Sequence, residues 1–178
     1  ILATGHLGHW ELLGIVCGRL GFPGTAITRP LDNPYLEARL LDQRTLSGNR
    51  VIDKHGAFDA ARRVLLDGGI LGMLFDQRPK RGGIPVPFFG APAYVTDGLA
   101  RLVLDTDADV MPCFGVFESD GTVRVTFEGP IRIVRTGDRM ADAIRMSADC
   151  TAVIEQWVRR YPGQWLWTHR RWARPAPG

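Results

Sequence analysis

The run Ile70–Phe75 constrains this chain more than any other segment. It is almost wholly apolar, with Gly68-Gly69 before it and the polar, basic stretch Asp76–Gly83 after it. A half-exposed strand alternates apolar and polar residues; this run does not, so it reads as a strand covered on both faces. Such a strand belongs in the middle of a parallel sheet with helices on either side.

The flanking segments supply those layers. Ile1–Thr4 reads as a buried strand. Trp10, Leu12, Leu13, Ile15, Val16 and Leu20 make a helical stripe that stops at Gly21-Phe22-Pro23. Thr25–Thr28 reads as a second strand. Asn33-Pro34 is a helix start, with Asn as cap and Pro in the first turn, and that helix runs to about Leu46. Arg50–Asp53 is a short strand, Ala57–Asp67 a helix closed by Gly68-Gly69, and Val86–Phe89 an extended piece pinned by Pro85 and Pro87. Thr96–Leu104 is helical. Val110–Glu118 and Thr122–Glu128 flank Ser119-Asp120-Gly121, a hairpin signal, and Ile131–Val134 extends that sheet. Ala141–Tyr161 is the longest helix. Strands and helices alternate through most of the chain. The expected fold is therefore a single α/β domain whose mixed, mostly parallel sheet is flanked by helices.

A length of 178 residues suits one domain, and 45% hydrophobic with 23% charged residues describes a globular chain. No apolar run approaches the roughly 20 residues that span a bilayer. The chain opens on Ile1 rather than Met, which reads as a piece of a longer protein. The domain is expected over residues 1–174, with 175–178 as a loose Pro-rich tail. Cys17, Cys113 and Cys150 form no C-x-x-C pair and read as reduced, buried thiols.

The net charge is only +3, but its distribution is uneven. No Asp or Glu follows Glu155, whereas Arg159, Arg160, Arg170, Arg171 and Arg174 do. Trp157, Trp165, Trp167 and Trp172 lie in the same stretch. Arg with Trp suits a lipid headgroup region, and it also suits nucleic acid. A packed segment with solvated Arg side chains has the same composition.

Chemistry concentrates in Gly5-His6-Leu7-Gly8-His9-Trp10-Glu11. Two helical residues five apart face roughly 140° away from each other. His6 and Glu11 can therefore meet only if His6 lies in the turn before the helix, where Gly5 and Gly8 give the backbone freedom. Glu11 would then fix one imidazole nitrogen and leave the other to take a proton. The chain has no G-x-S-x-G nucleophile turn, so a substrate hydroxyl would attack directly. His6, His9 and Glu11 could instead form a metal cluster, although no H-E-x-x-H helix is present. His55 and His169 read as structural or solvated.

With its neighbours, this segment resembles the first motif, H-x-x-x-x-[DE], of the lysophospholipid acyltransferase superfamily. It is most similar to the bacterial lipid A biosynthesis lauroyl/myristoyl acyltransferase branch. The resemblance is carried in order by Gly5–Leu13 (GHLGHWELL), Arg29–Tyr35 (RPLDNPY), Arg44, Phe75-Asp76-Gln77 and Val86–Gly90 (VPFFG). It continues through the helix with Thr96, Gly98 and Arg101, then Val110-Met111-Pro112, and Tyr161–Trp172 (YPGQWLWTHRRW). The branch usually has Asn where this chain has His9.

The resemblance implies a glycerolipid acyltransferase-like fold with an amino-terminal membrane anchor upstream. It implies an acyl-carrier-protein or coenzyme A thioester as donor and a membrane glycolipid such as a lipid A precursor as acceptor. The setting would be the cytoplasmic face of the bacterial inner membrane. His6 would be the general base, oriented by Glu11. Arg29 would clamp an acceptor phosphate. Arg44 and Asp76 would order the site, as an ion pair. Gln77 and Arg78, with Lys80 and Arg81, precede Gly82-Gly83 in a basic loop suited to phosphate. No metal or other cofactor is called for, and no nucleic-acid partner. Two other readings of the residues stay open. One is a His/Glu or metal-assisted hydrolase of lipid or phosphate esters, and the other is a nucleic-acid-binding module built on the Arg/Trp tail.

Overall fold

The computed structural model describes residues 1–174 and Ala176. Its strands are β1 (Leu2–Thr4), β2 (Gly24–Thr28), β3 (Arg50–Asp53), β4 (Ile70–Leu74), β5 (Ile84–Phe88), β6 (Ala91–Val95), β7 (Met111–Phe117) and β8 (Val123–Phe127). Its helices are α1 (Trp10–Arg19), α2 (Pro34–Thr45), α3 (Ala57–Leu66), α4 (Gly98–Thr106) and α5 (Arg139–Arg160). Six strands form one sheet in the order β3-β2-β4-β1-β7-β8, with only β8 antiparallel to its neighbour. The apolar run at 70–75 is thus an interior parallel strand, as its sequence requires.

Local chemistry sets several boundaries. The Asn33 side chain accepts from the Tyr35 and Leu36 amides and starts α2, with Pro34 in the first turn. Asp138 does the same for α5 through Met140 and Ala141. Leu71 turns to the face covered by α3 and α4, where it meets Ala61 and Leu102. Leu2, Ala26 and Gly72 share a cross-strand row beneath α1. The larger core lies between β7, α4, α5 and the β5–β6 hairpin. There Phe114 stacks on Trp157 at 4.6 Å. Each such buried aromatic contributes about 1.5–3 kcal/mol. All three cysteines are free and buried, and burial pushes the Cys113 and Cys150 thiols up to about 12.

Two expectations change. The extended piece near Val86 is one arm of a two-stranded antiparallel sheet, β5–β6. Ile84, Val86 and Phe88 point inward while Pro85 and Pro87 point out, so the prolines sit where a missing N–H is tolerated. The turn is Phe89-Gly90, both at positive φ. Phe89 lacks the Asn or Asp that normally signals such a turn. Ile131–Val134 does not extend the sheet as a strand; a single bridge joins Ile131 to Val110. Of the tail, Ala176 exchanges hydrogen bonds with Lys80 and Gly82, and residues 175, 177 and 178 lie outside the described residues.

Candidate active site

The site forms where two parallel strands end side by side. The β1–β4 register pairs Thr4 with Leu74, and the Phe75 amide continues it by donating to the Thr4 carbonyl at 2.9 Å. His6 and Asp76 each lie two residues past that pair, so they emerge together at the carboxyl edge of the sheet, where α/β folds place ligands.

Glycine makes their approach possible. A Cβ on Gly5 would come within 3.0 Å of Asp76 Oδ2. Gly8 has φ +57°, and a Cβ there would lie 2.1 Å from the Gly115 carbonyl oxygen. The turn is clamped on two sides. The His9 amide donates to Gly115 of β7 at 2.7 Å, the Gly8 amide to Gln164 at 2.8 Å, and the Leu166 amide to His6 at 2.9 Å.

Asp76 holds His6 at two points. Its Oδ1 lies 2.7 Å from His6 Nδ1, and its Oδ2 accepts the His6 backbone amide at 2.7 Å. Trp165 Nε1 adds a third hydrogen bond to Oδ2 at 2.8 Å. The Asp76 side chain is fully buried, while the His6 ring keeps 14% exposure. Burial alone would raise the Asp76 carboxyl. The His6 ring, its charge, the Trp165 indole and the His6 amide outweigh burial and hold the carboxyl below its usual range. An ionised carboxylate only accepts, so Nδ1 is the nitrogen that carries a proton toward Asp76, and in the neutral ring the lone pair is on Nε2. Gln77 Nε2 stands 3.2 Å from that lone pair, and the Trp10 ring packs edge-on at 5.0 Å.

Glu11 does not orient His6. Its carboxylate takes a bidentate grip from Arg44 at the end of α2, with Nε at 2.9 Å and Nη2 at 2.6 Å. That hydrogen bond, more than the accompanying charges, raises the Arg44 guanidinium. The expected Arg44–Asp76 ion pair is likewise replaced by two separate pairs, Arg44–Glu11 and His6–Asp76. Glu11 points away because it starts a helix while His6 sits in the turn before it; His6 is met from the neighbouring strand instead.

The other candidates scatter. Arg29 is largely exposed, and its ion-pair partner is Asp32, at 3.5 Å. The Arg78 guanidinium donates to the Pro79 carbonyl at 3.2 Å. His9 packs on Phe117 rather than joining His6 and Glu11, and among the described residues no three His, Cys, Asp or Glu side chains could hold a metal. The Trp-rich segment is not a free stacking surface. Trp157 and Trp165 are buried, and the exposed Trp167 and Trp172 pack beside Phe89.

Sequence reading missed three contributors. Trp165, His169 and Arg171 come from the carboxyl-terminal segment, and no spacing in the chain announces that Trp165 reaches Asp76, with His169 packed on its ring and Arg171 over Phe88 behind it. Burial lowers the His169 imidazole.

An apolar cleft adjoins this site. It holds about 860 Å³ of empty space, counting its open mouth, between α1 and the sheet. Leu13, Cys17, Ala26, Ile27, Leu74 and Met73 line it, and Trp10, Glu11 and Arg44 stand in its wall. The small residues Ala26 and Gly72 in the row beneath α1 leave it open.

The family model for bacterial lipid A biosynthesis acyltransferases matches residues 1–174. The chain belongs to that family. Among curated proteins, it is similar to the phosphatidylinositol mannoside acyltransferase of Mycolicibacterium smegmatis, 27% identical over 176 residues. That match covers 93% of this chain and 56% of the relative. The enzyme of the same description from Mycobacterium tuberculosis is 26% identical over 125 residues, covering 68% of this chain and 40% of its own length. The chain therefore spans about half the length of the curated relatives it matches.

Proposed function

We propose that this domain transfers a fatty acyl chain from an acyl-carrier-protein or coenzyme A thioester to a hydroxyl of a membrane glycolipid, with His6 as general base. The observation that carries the reading is the Asp76–His6 pair at the carboxyl edge of the sheet, next to an apolar cleft. Asp76 fixes the imidazole and stabilises it when protonated. Nε2 takes the acceptor's proton as the hydroxyl oxygen attacks the thioester carbonyl carbon. The tetrahedral adduct then collapses, the C–S bond breaks, and the departing thiolate recovers the proton from the imidazolium.

Gln77 occupies Nε2 until the hydroxyl displaces it. The Arg44–Glu11 pair shapes the wall where Trp10 joins the cleft to the site, and the cleft takes the acyl chain. The exposed Arg29 and the half-buried Arg78 meet the acceptor's phosphate. The names of the relatives favour a phosphatidylinositol mannoside over a lipid A precursor as acceptor; both offer sugar hydroxyls on a lipid. Work on such an acceptor places the domain at the membrane surface, at the cytoplasmic face of the bacterial inner membrane, where thioester donors are available.

The test is acyl transfer by the longest natural form of the protein. Acyl-carrier-protein and coenzyme A thioesters are offered with mannolipid and lipid A-type acceptors in vesicles, and products are read by mass. Acceptor-dependent acylated lipid supports the reading and identifies both substrates. A folded protein that uses no thioester with any acceptor contradicts it.

A further inference from the structure

Arg171 is an unusual residue to find inside a small domain. It is 1% exposed, the largest of the fully buried side chains. No carboxylate pairs with it among the described residues. Its Nη1 donates to the Tyr94 carbonyl of β6, its guanidinium lies over the Phe88 ring at 5.0 Å, and its Nε has no partner. A buried cation without a carboxylate partner costs stability, and such groups concentrate at functional sites.

The other buried charge nearby is also without an ion-pair partner except His6. Asp76 accepts three hydrogen bonds, and none comes from Arg or Lys. Packed side chains connect the two charges. Phe88, beneath Arg171, packs against Trp165 at 5.6 Å, and Trp165 donates to Asp76. Burial pushes the Arg171 guanidinium down to about 10, and the charge on Asp76 opposes that push. The two residues therefore feel each other through a dry, aromatic layer, where charge interactions are strongest.

We propose that Arg171 is a positioning residue that balances Asp76 across the Phe88–Trp165 pair, so that His6 is held by a carboxylate yet stays neutral as a base. With Asp76 alone, the buried carboxylate would favour the imidazolium and block the base. With Arg171 in place, the carboxylate orients the ring while the net buried charge stays near zero.

The groups around this set come from every packed element. Asp76 and Arg78 follow β4, His6 follows β1, and His169 lies in the segment that carries Arg171. From α5, Glu155 and Arg159 pair with each other beside Phe89. From α1 and α2, Glu11 and Arg44 neutralise each other. Arg78 is half-buried and donates to the Pro79 carbonyl, so Arg171 and Asp76 are the fully buried charges of this set without a guanidinium–carboxylate pair among the described residues.

The proposal rests on the reading of His6 as the base, but its test does not. The His6 imidazole is titrated by NMR in the whole protein, with ring-15N-labelled histidine, which needs no donor or acceptor. Removing a nearby positive charge favours the imidazolium. The His6 midpoint is thus expected to rise by about one pH unit in Arg171→Met and Arg171→Gln. It is expected to return close to the native position in Arg171→Lys. Where transfer is measurable, the acidic limb of the kcat/KM profile moves up with it, which a merely structural residue would not cause. An unmoved His6 midpoint in a folded Arg171→Met protein overturns the proposal. So does loss of folding in both neutral variants, because Arg171 would then be a structural residue.

Discussion

His6 and Asp76 are each two residues past a paired strand end, and their side chains meet at 2.7 Å. The His6–Asp76 pair is therefore a property of the β1–β4 register as much as of any motif. Glu11, five residues after His6, serves Arg44 instead.

Asp76→Asn keeps the shape of the side chain but removes its charge. The amide can present its NH2 to Nδ1 and so favour the other tautomer. Transfer should fall by about 10²- to 10⁴-fold in kcat, with KM little changed. Steady-state kinetics on both proteins check this, and a loss confined to KM would count against the assigned role.

Asp76 should also make the fold acid-sensitive. Burial works to raise its carboxyl, but the bonds from His6 and Trp165 win and hold it low. A carboxyl lower in the folded state than its unfolded value of about 3.9 contributes stability above that pH. That contribution is lost as pH falls through the folded value. Urea midpoints at neutral pH and near pH 3 should differ more in the wild type than in Asp76→Asn.

Gly8→Ala places a methyl group 2.1 Å from the Gly115 carbonyl oxygen at a backbone φ of +57°. The left-handed conformation alone costs about 1–2 kcal/mol for a residue with a side chain. The clash adds to this, so unfolding free energy should drop by more than that range. A denaturant titration showing an unchanged midpoint would be incompatible with the described turn.

Glu11 and Arg44 should be coupled to each other and not to His6. A double-mutant cycle with Glu11→Gln and Arg44→Gln is expected to give a coupling of about 1 kcal/mol in stability. The same cycle between Glu11→Gln and His6→Ala should give a value near zero.

Much of this fold was legible because its signals are local. The apolar interior strand at 70–75, the Asn33 cap and the Ser119-Asp120-Gly121 turn each depend on residues adjacent in sequence, although one face of that strand opens to the cleft. The β5–β6 hairpin escaped because its turn is Phe89-Gly90, with Phe89 held by a hydrogen bond from its amide to Glu155 and by Arg159 over its ring. Both partners lie on α5, far away in sequence. The site divides in the same way. His6 was readable from its glycine-rich turn, and Asp76 only through the family resemblance. Their pairing was not, because register decides it. Trp165 and Arg171 come from still farther along the chain, and only the tertiary structure brings Trp165 to Asp76 and Arg171 to Phe88 behind it.

The most direct test of the account compares the wild type with His6→Ala under identical thioester and glycolipid supply, with folding of both verified by circular dichroism. The account predicts acceptor-dependent acyl product from the wild type and its loss in a folded His6→Ala protein. Undiminished product from His6→Ala would contradict the central claim that this histidine removes the acceptor's proton.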